Sequence, residues 1–416
     1  VRGFMDATAT FRGIHLGDLY VATPVMLAPM AGVTNPPFRQ LCREEAEKGL
    51  RAAGYHPLKE EHIPGTFAPA GLWVCEMITS RALVERERQT MTMIEPDPLD
   101  PVRSIQLYGV EPKTVAAGIR MLISENRADH IDLNFGCPAP KVTRKGGGSA
   151  LPWKLDLYEE LVTRAVEAAR EASKDRDFTI PVTIKFRIGI DGDHETFKDT
   201  ARIAEDAGIV GFTLHARTTA QHYAGQAQWQ YIADLVGQTA LPVLGNGDIF
   251  EAEDAKRCMQ ETGCCGVAVG RGAQGRPWIF HDIAAMMHGS DALRLPGIRE
   301  VAETIIRHAE LSIEHFHDEN RAMRELRKHI GWYLRGYAVG GAQRQALGLV
   351  STLDELKERL GELDLNQGFP DAAHGARGRA GREKQPRLPD GWLDSRELSE
   401  AQAAKIHEAE VDVDGG

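Results

Sequence analysis

The stretch 130–151, HIDLNFGCPAPKVTRKGGGSAL, sets a single thiol, Cys137, between a glycine and a proline at the end of an apolar run. Asn134 precedes it, and Lys141, Arg144, Lys145 and three glycines follow. A Gly-Cys-Pro turn breaks a strand and presents the sulfur at a loop. A thiol placed there can act as a general acid, giving a proton to a carbon while hydride arrives at the neighbouring atom. Nearby cations anchor an anionic substrate and tune the acidity of the sulfur. The competing reading is a small buried hydrophobe, the commoner role of a lone cysteine.

Two glycine-rich stretches point to a second chemistry. GNGDIF (245–250) and VGRGAQGRPW (269–278) each follow a short apolar run. Glycines let backbone N–H groups approach phosphate oxygens, a following helix adds positive potential, and Arg271 can pair with a phosphate. Tight turns without a ligand are the plain alternative. A phosphate anchor suits a flat cofactor with a phosphate tail. FMN fits better than NAD, because no G-x-G-x-x-G follows the first strand. Pro29, Met30 and Ala31 of LAPMAG would lie along one ring edge, Gln106 can bond a pyrimidine-like edge in either sense, and Lys185 would stabilise the anionic reduced ring. The alternative for Lys185 is a structural pair with Asp132.

These residues need a scaffold that brings distant strand ends together. Eight apolar runs, 25–31, 72–77, 104–109, 130–136, 182–189, 211–216, 241–248 and 266–272, alternate with helical stretches such as 112–126, 155–174, 195–207, 251–262 and 274–287. Strand–helix alternation implies parallel pairing, and eight units predict an α/β fold, a (β/α)8 TIM barrel; an open doubly wound sheet is the competitor. Within VTIKFRIG, Ile184 and Phe186 oppose Thr183, Lys185 and Arg187; Gln106 and His215 take equivalent positions in their own strands. If the apolar faces meet the helices, Gln106, Lys185 and His215 point into the barrel. Turns after strands seven and eight are where this fold often holds phosphate.

The chain has 416 residues, enough for a large domain and a smaller one, and a net charge of −11 from 49 basic and 60 acidic residues. That excludes a uniformly basic surface and leaves room for a local basic face. The sequence shows no signal peptide and no run of membrane-span length. Six cysteines without zinc spacing suggest free thiols in a cytoplasmic protein without a metal. The expected organisation is a catalytic barrel over 1–289, a helical domain over 290–365 and a disordered charged tail over 366–416. Arg321, Arg324, Arg327, Lys328, Arg335 and Arg344 face one acid, Glu325, in the helical part, with Trp332, Tyr333 and Tyr337 interleaved. Such a face suits RNA, while each aromatic more simply packs on the barrel. Segment 47–71 reads as an insertion over the barrel mouth or a flexible excursion.

LAPMAGVTNPPFR, IQLYG, DLNFGCPAPKVTRKGGGSAL, TIKFRIG, LHART, GNGD and VGRGAQGRPW occur in the order seen in bacterial tRNA-dihydrouridine synthases, and RKHIGWYLRGY resembles the helical-domain signature of their B branch. The resemblance covers about residues 14–360; RKGGGSAL departs from the commoner aliphatic-Ala-Gly-Ser loop. It implies reduction of D-loop uridines in tRNA to 5,6-dihydrouridine by a monomer that binds FMN, with NADPH or NADH as reductant. Hydride would reach C6 and Cys137 would protonate C5. Asn134 would bind the uracil edge, with Lys141, Arg144, Arg324, Arg327 and Lys328 on the RNA. Pro29, Met30, Ala31, Gln106, Lys185, His215, Asn246, Gly247, Asp248, Gly270 and Arg271 would hold FMN; Arg187 would lie near either the cofactor or the base. The alternatives are a small-molecule FMN dehydrogenase or ene-reductase, which leaves the basic helices without purpose, and a non-enzymatic RNA-binding module, which leaves Cys137 unexplained.

Overall fold

The computed structural model describes residues 11–56, 62–378 and 380–411. In chain order its strands are β1 (Ile14–Leu16), β2 (Leu19–Val21), β3 (Val25–Leu27), β4 (Phe67–Ala68), β5 (Leu72–Trp73), β6 (Ile78–Thr79), β7 (Ser104–Tyr108), β8 (His130–Phe135), β9 (Val182–Arg187), β10 (Phe212–His215), β11 (Val243–Asn246) and β12 (Gly266–Val269). The main sheet runs β5-β3-β12-β11-β10-β9-β8-β7-β6, with every pair parallel. One edge, β5, lies within the run expected over 72–77, and the other, β6, begins just after it. Between them Cys75 N donates to Ser104 O at 3.0 Å, which joins the edges into a ring. The eight expected strands thus form the (β/α)8 barrel, with helical structure after it.

Capping residues set the helix limits. Pro36–Ala52 starts where Asn35 Oδ1 accepts from Phe38 N at 3.2 Å, with proline in the first turn. Phe197–Ala207 stops at Gly208, where φ is +98°. The helix expected over 274–287 begins only at Ile279. Gly275 holds the preceding turn at φ +65°, and a Cβ there would lie 2.2 Å from the Trp332 carbonyl carbon. Only glycine lets the C-terminal helices approach this closely.

Beneath the barrel, β1, β2 and β4 make a small second sheet. The described residues of segment 47–71 contribute to it, away from the mouth. Its first residues complete the helix Pro36–Ala52, and 57–61 lie outside the described residues. Thr66 O then accepts from Tyr20 N at 2.8 Å, and Gly65 abuts Asp129 at the start of β8.

Helices Ile298–Phe316, Glu319–Tyr333, Gly341–Leu347 and Leu353–Gly361 build their own apolar cluster, which includes Leu41 and Trp278 from the barrel's first and last helical stretches. Residues 366–411, expected to be a disordered tail, are packed instead. Trp392 is 1% exposed, its Nε1 donates to Ala150 O at 2.9 Å, and a helix Glu400–Val411 follows. Composition hid this because a few apolar anchors are dispersed among polar residues. Among the described residues no helix is long and apolar enough to cross a membrane, and no cluster of His, Cys, Asp and Glu is placed to hold a metal ion.

Candidate active site

Parallel register stacks the inward polar residues in layers. Gln106, Asp132 and Thr183 are neighbours across β7, β8 and β9. Asn134 sits beside Lys185, and Arg187, His215 and Asn246 form a layer nearer the mouth. The lower layer is one hydrogen-bonded line. Thr183 Oγ1 and Gln106 Nε2 each donate to Asp132 at 2.7 Å, and Asn134 Nδ2 donates to Gln106 Oε1 at 2.8 Å. Asn134 Oδ1 accepts from Gly136 N at 3.1 Å and Cys137 N at 2.9 Å. A buried carboxylate therefore orients, through two amides, the turn that carries the thiol.

The far side of that turn is held as firmly. The Cys137 carbonyl accepts from Ser149 N and Ser149 Oγ, both at 3.1 Å. Gly148 has φ +55°, and a Cβ there would stand 2.5 Å from that carbonyl oxygen. These glycines serve close approach and left-handed backbone, not looseness. Burial pushes the Cys137 thiol up from its ordinary pKa, while the Ala139 N–H, Arg187, Lys141 and Lys185 pull the other way. Burial prevails, so the group is a protonated thiol at neutral pH, as a proton donor must be.

Lys185 is lowered to about 8 by burial and then by Arg187. Both oxygens of Asp132 are engaged by Gln106 and Thr183, so Lys185 acts on that carboxylate through space. Arg187 ties two loops together: Nε donates to Gly136 O at 2.8 Å, and Nη1 to Thr218 O and His222 O at 2.9 and 3.0 Å. Burial lowers it to about 10, still charged at neutral pH.

The ends of β10, β11 and β12 gather arginines. Asp248, at φ +57°, accepts from Arg217 through both oxygens (2.8 and 2.7 Å), from Arg271 at 3.0 Å and from Ala227 N at 2.6 Å. It joins the two guanidinium groups, and Arg217 Nη1 lies 3.7 Å from where Gly247 would carry a Cβ. Asn246 Nδ2 is occupied by Ala268 O at 2.7 Å. His215 Nε2 and Arg217 Nη1 are buried without a hydrogen-bond partner. Burial and four surrounding cations, Arg187, Lys185, Arg217 and Arg271, hold His215 neutral. Two orphaned polar atoms amid excess positive charge fit an anionic group with several acceptors, such as the phosphate of FMN. Pro29 and Met30 reach this end half-buried, and Ala31 is exposed. Met30 accepts at Sδ from Gln274 Nε2 at 3.9 Å, which links the first strand to the last.

The remaining predicted residues divide. Lys141 is exposed and acts on the sulfur through space, whereas Arg144 donates to Pro140 O in its own turn at 3.2 Å. Arg324 is exposed. Lys328 pairs with Glu325 at 2.5 Å, and its Nζ lies 3.7 Å from where Gly32 would carry a Cβ, beside LAPMAG. Arg327 instead donates to Val350 O and Leu349 O, both at 2.9 Å. Tyr333 and Tyr337 are buried.

Comparison with known proteins bears on this arrangement. Residues 26–368 match the family model described as "Dihydrouridine synthase (Dus)". A "Probable tRNA-dihydrouridine synthase" of Mycobacterium tuberculosis (strain CDC 1551 / Oshkosh) is 49% identical over 381 residues, 91% of this chain and 92% of its own. A "tRNA-dihydrouridine synthase B" of Xanthomonas axonopodis pv. citri is 34% identical over 345 residues, 82% of this chain and 92% of its own. The chain belongs to the dihydrouridine synthase family. It is therefore an oxidoreductase.

Reading this dihydrouridine synthase from sequence missed Arg217, Asp132 as the anchor of Gln106, and Thr183. Arg217 stood inside LHART at a strand end, the position that carries function in this fold. Asp132 was visible only as a possible partner of Lys185.

Proposed function

We infer that this dihydrouridine synthase reduces D-loop uridines of tRNA to 5,6-dihydrouridine, acting as a cytoplasmic monomer without a metal. The observation that supports this most is the Cys137 turn, held from both sides through Asn134 and Ser149, beside the half-buried Lys185 and the buried Arg187. The names of the relatives point to the same substrate. FMN, when bound, supplies the hydride for C6 of the base, taken from NADPH or NADH.

This chain's own residues do the rest. Cys137 gives its proton to C5. Lys185 would offset negative charge on the cofactor's ring system, and Gln106, fixed in one orientation by Asp132, would bond its pyrimidine edge. Arg271, Arg217 and His215 would hold its phosphate, with Asp248 setting the arginine geometry. The remaining Nδ2 hydrogen of Asn134, which meets Met77 Sδ at 3.7 Å, is the donor for a uracil oxygen. The target base must leave its stack to reach this depth. Arg324, Lys328 and Lys141 contact phosphates at the mouth. Site-resolved mass spectrometry of unmodified tRNA incubated with flavin-loaded protein and NADPH tests the reading: new dihydrouridine is expected in the D-loop, and none anywhere refutes it.

A further inference from the structure

The segment after the family match, which ends at residue 368, runs along the rim of the barrel mouth. It leaves the helical unit where Ala373 abuts Gly336, and Gly375 N donates to Glu251 Oε1 at 2.9 Å. Arg377 is buried, donating to Trp332 O and Ala373 O at 3.0 and 2.7 Å. Gly378 passes against Arg271, and Lys384 N donates to Ala220 O at 2.8 Å. Beyond Trp392, Lys154 Nζ holds the carbonyls of Ser395 and Glu397 at 2.7 and 2.9 Å, and Arg396 pairs with Asp199 at 3.0 Å. Each anchor on the barrel follows the C-terminal end of a strand. The strap is therefore fastened at both ends and crosses the loops after β12, β10 and β8.

Its middle is basic. Arg382, Lys384 and Arg387 are exposed, with Glu383 and Asp390 the acids among residues 380–391. Among the described residues, none of these three side chains has a recorded ion pair or hydrogen bond. Lys384 acts electrostatically on His222, whose carbonyl holds Arg187, which in turn acts on Cys137. In ring order the loop after β10 lies three strands from β3, whose helix Pro36–Ala52 carries the helical unit, and two from β12, whose following loop also meets that unit. In the helical unit, Arg327 and Arg344 donate to carbonyls of their own unit, and Arg335 donates to Gly375 O of the segment that leads into the strap. Uncommitted positive charge is thus as available on the strap as on the helices.

We propose that the strap 380–391 is a second RNA contact, which grips substrate phosphates on the rim after β10, beyond the helical unit. The proposal rests on the tRNA reading above. Phosphate neutralisation releases counterions, so each contact adds about 0.7–0.9 to the slope of log affinity against log salt. An extended, twice-anchored strap presents its cations with little ordering left to lose on binding.

The test compares tRNA binding by the full chain and by the triple variant Arg382→Ala/Lys384→Ala/Arg387→Ala across a salt series, with thermal melting of both. The expected result is an affinity about tenfold or more weaker and a salt slope shallower by about 2, with unchanged melting. The variant Arg382→Lys/Arg387→Lys should restore affinity and slope, which a purely structural role would not predict. Wild-type affinity and slope in the triple variant overturn the proposal, as does failure of the lysine variant to rescue. If wild-type protein forms no dihydrouridine, the substrate reading fails on its own. A triple variant that binds normally while wild type is active condemns the strap alone.

Discussion

Around Cys137 the backbone is pinned and much of the charge acts through space; along Glu319–Tyr333 and the turn after it, side-chain charges are pinned and the backbone is ordinary helix. The first region holds one sulfur through Asn134, Ser149 and the left-handed Gly148, while Lys141 and Lys185 bias its proton without touching it. In the second, Arg327, Arg335 and Arg344 reach carbonyls that helix ends and turns leave open, and Lys328 leans on Glu325. Equal counts of cations therefore mean different things. Where glycines and amides satisfy the backbone, cations remain for chemistry; where turns lack such donors, arginines fill the need.

The sharpest break of this comparison is Cys137→Ala. Removing a general acid costs about 10²–10⁴ in rate. Dihydrouridine formation measured by mass spectrometry should fall by that much, while bound flavin, read by visible absorbance, stays. Full activity would remove the sulfur from the reaction.

Gly148→Ala attacks the pinning instead. A methyl at φ +55° and 2.5 Å from the Cys137 carbonyl forces the turn to move. Strain of about 1–3 kcal/mol is expected in thermal or urea unfolding, and misplacement by about an ångström costs roughly 10²-fold in turnover. A variant as active as wild type would show that the turn tolerates movement.

Lys185→Met tests the charge that acts from a distance. With its pKa lowered from 10.5 to about 8, the native state binds fewer protons than the unfolded chain between those values. Stability of the flavin-free protein therefore rises with pH from about 8 to about 10.5 on account of this group. Flavin-free Lys185→Met should be more stable at pH 7 by about 3 kcal/mol, with the gain fading as pH rises through that window. A constant difference across pH would contradict the shift.

On the helical side the comparison predicts a division between neighbours. Arg327→Ala should lower stability by about 1–3 kcal/mol, because two carbonyls lose a charged donor. Arg324→Ala should leave stability within about 0.5 kcal/mol and make the salt slope of tRNA affinity shallower by about 1. Melting curves and salt titrations of both variants check this; the reverse pattern would make Arg327 the RNA contact.

The sequence alone determined the barrel, since strand–helix alternation, period-two faces and glycine-rich turns are local signals that any parallel eight-unit sheet must carry. It also singled out the strand ends, because Gln106, Lys185, Arg187 and His215 are polar residues at inward positions of otherwise apolar runs. Tertiary structure alone decided which donors remain for a ligand. Asp248 is engaged by two arginines and Arg327 by the carbonyls of Leu349 and Val350, and no spacing along the chain records such partners. It also decided the fate of 366–411. Trp392 finds its place only because Gly146, far earlier in the chain, leaves room for the indole ring, and burial of that kind depends on contacts that composition cannot express.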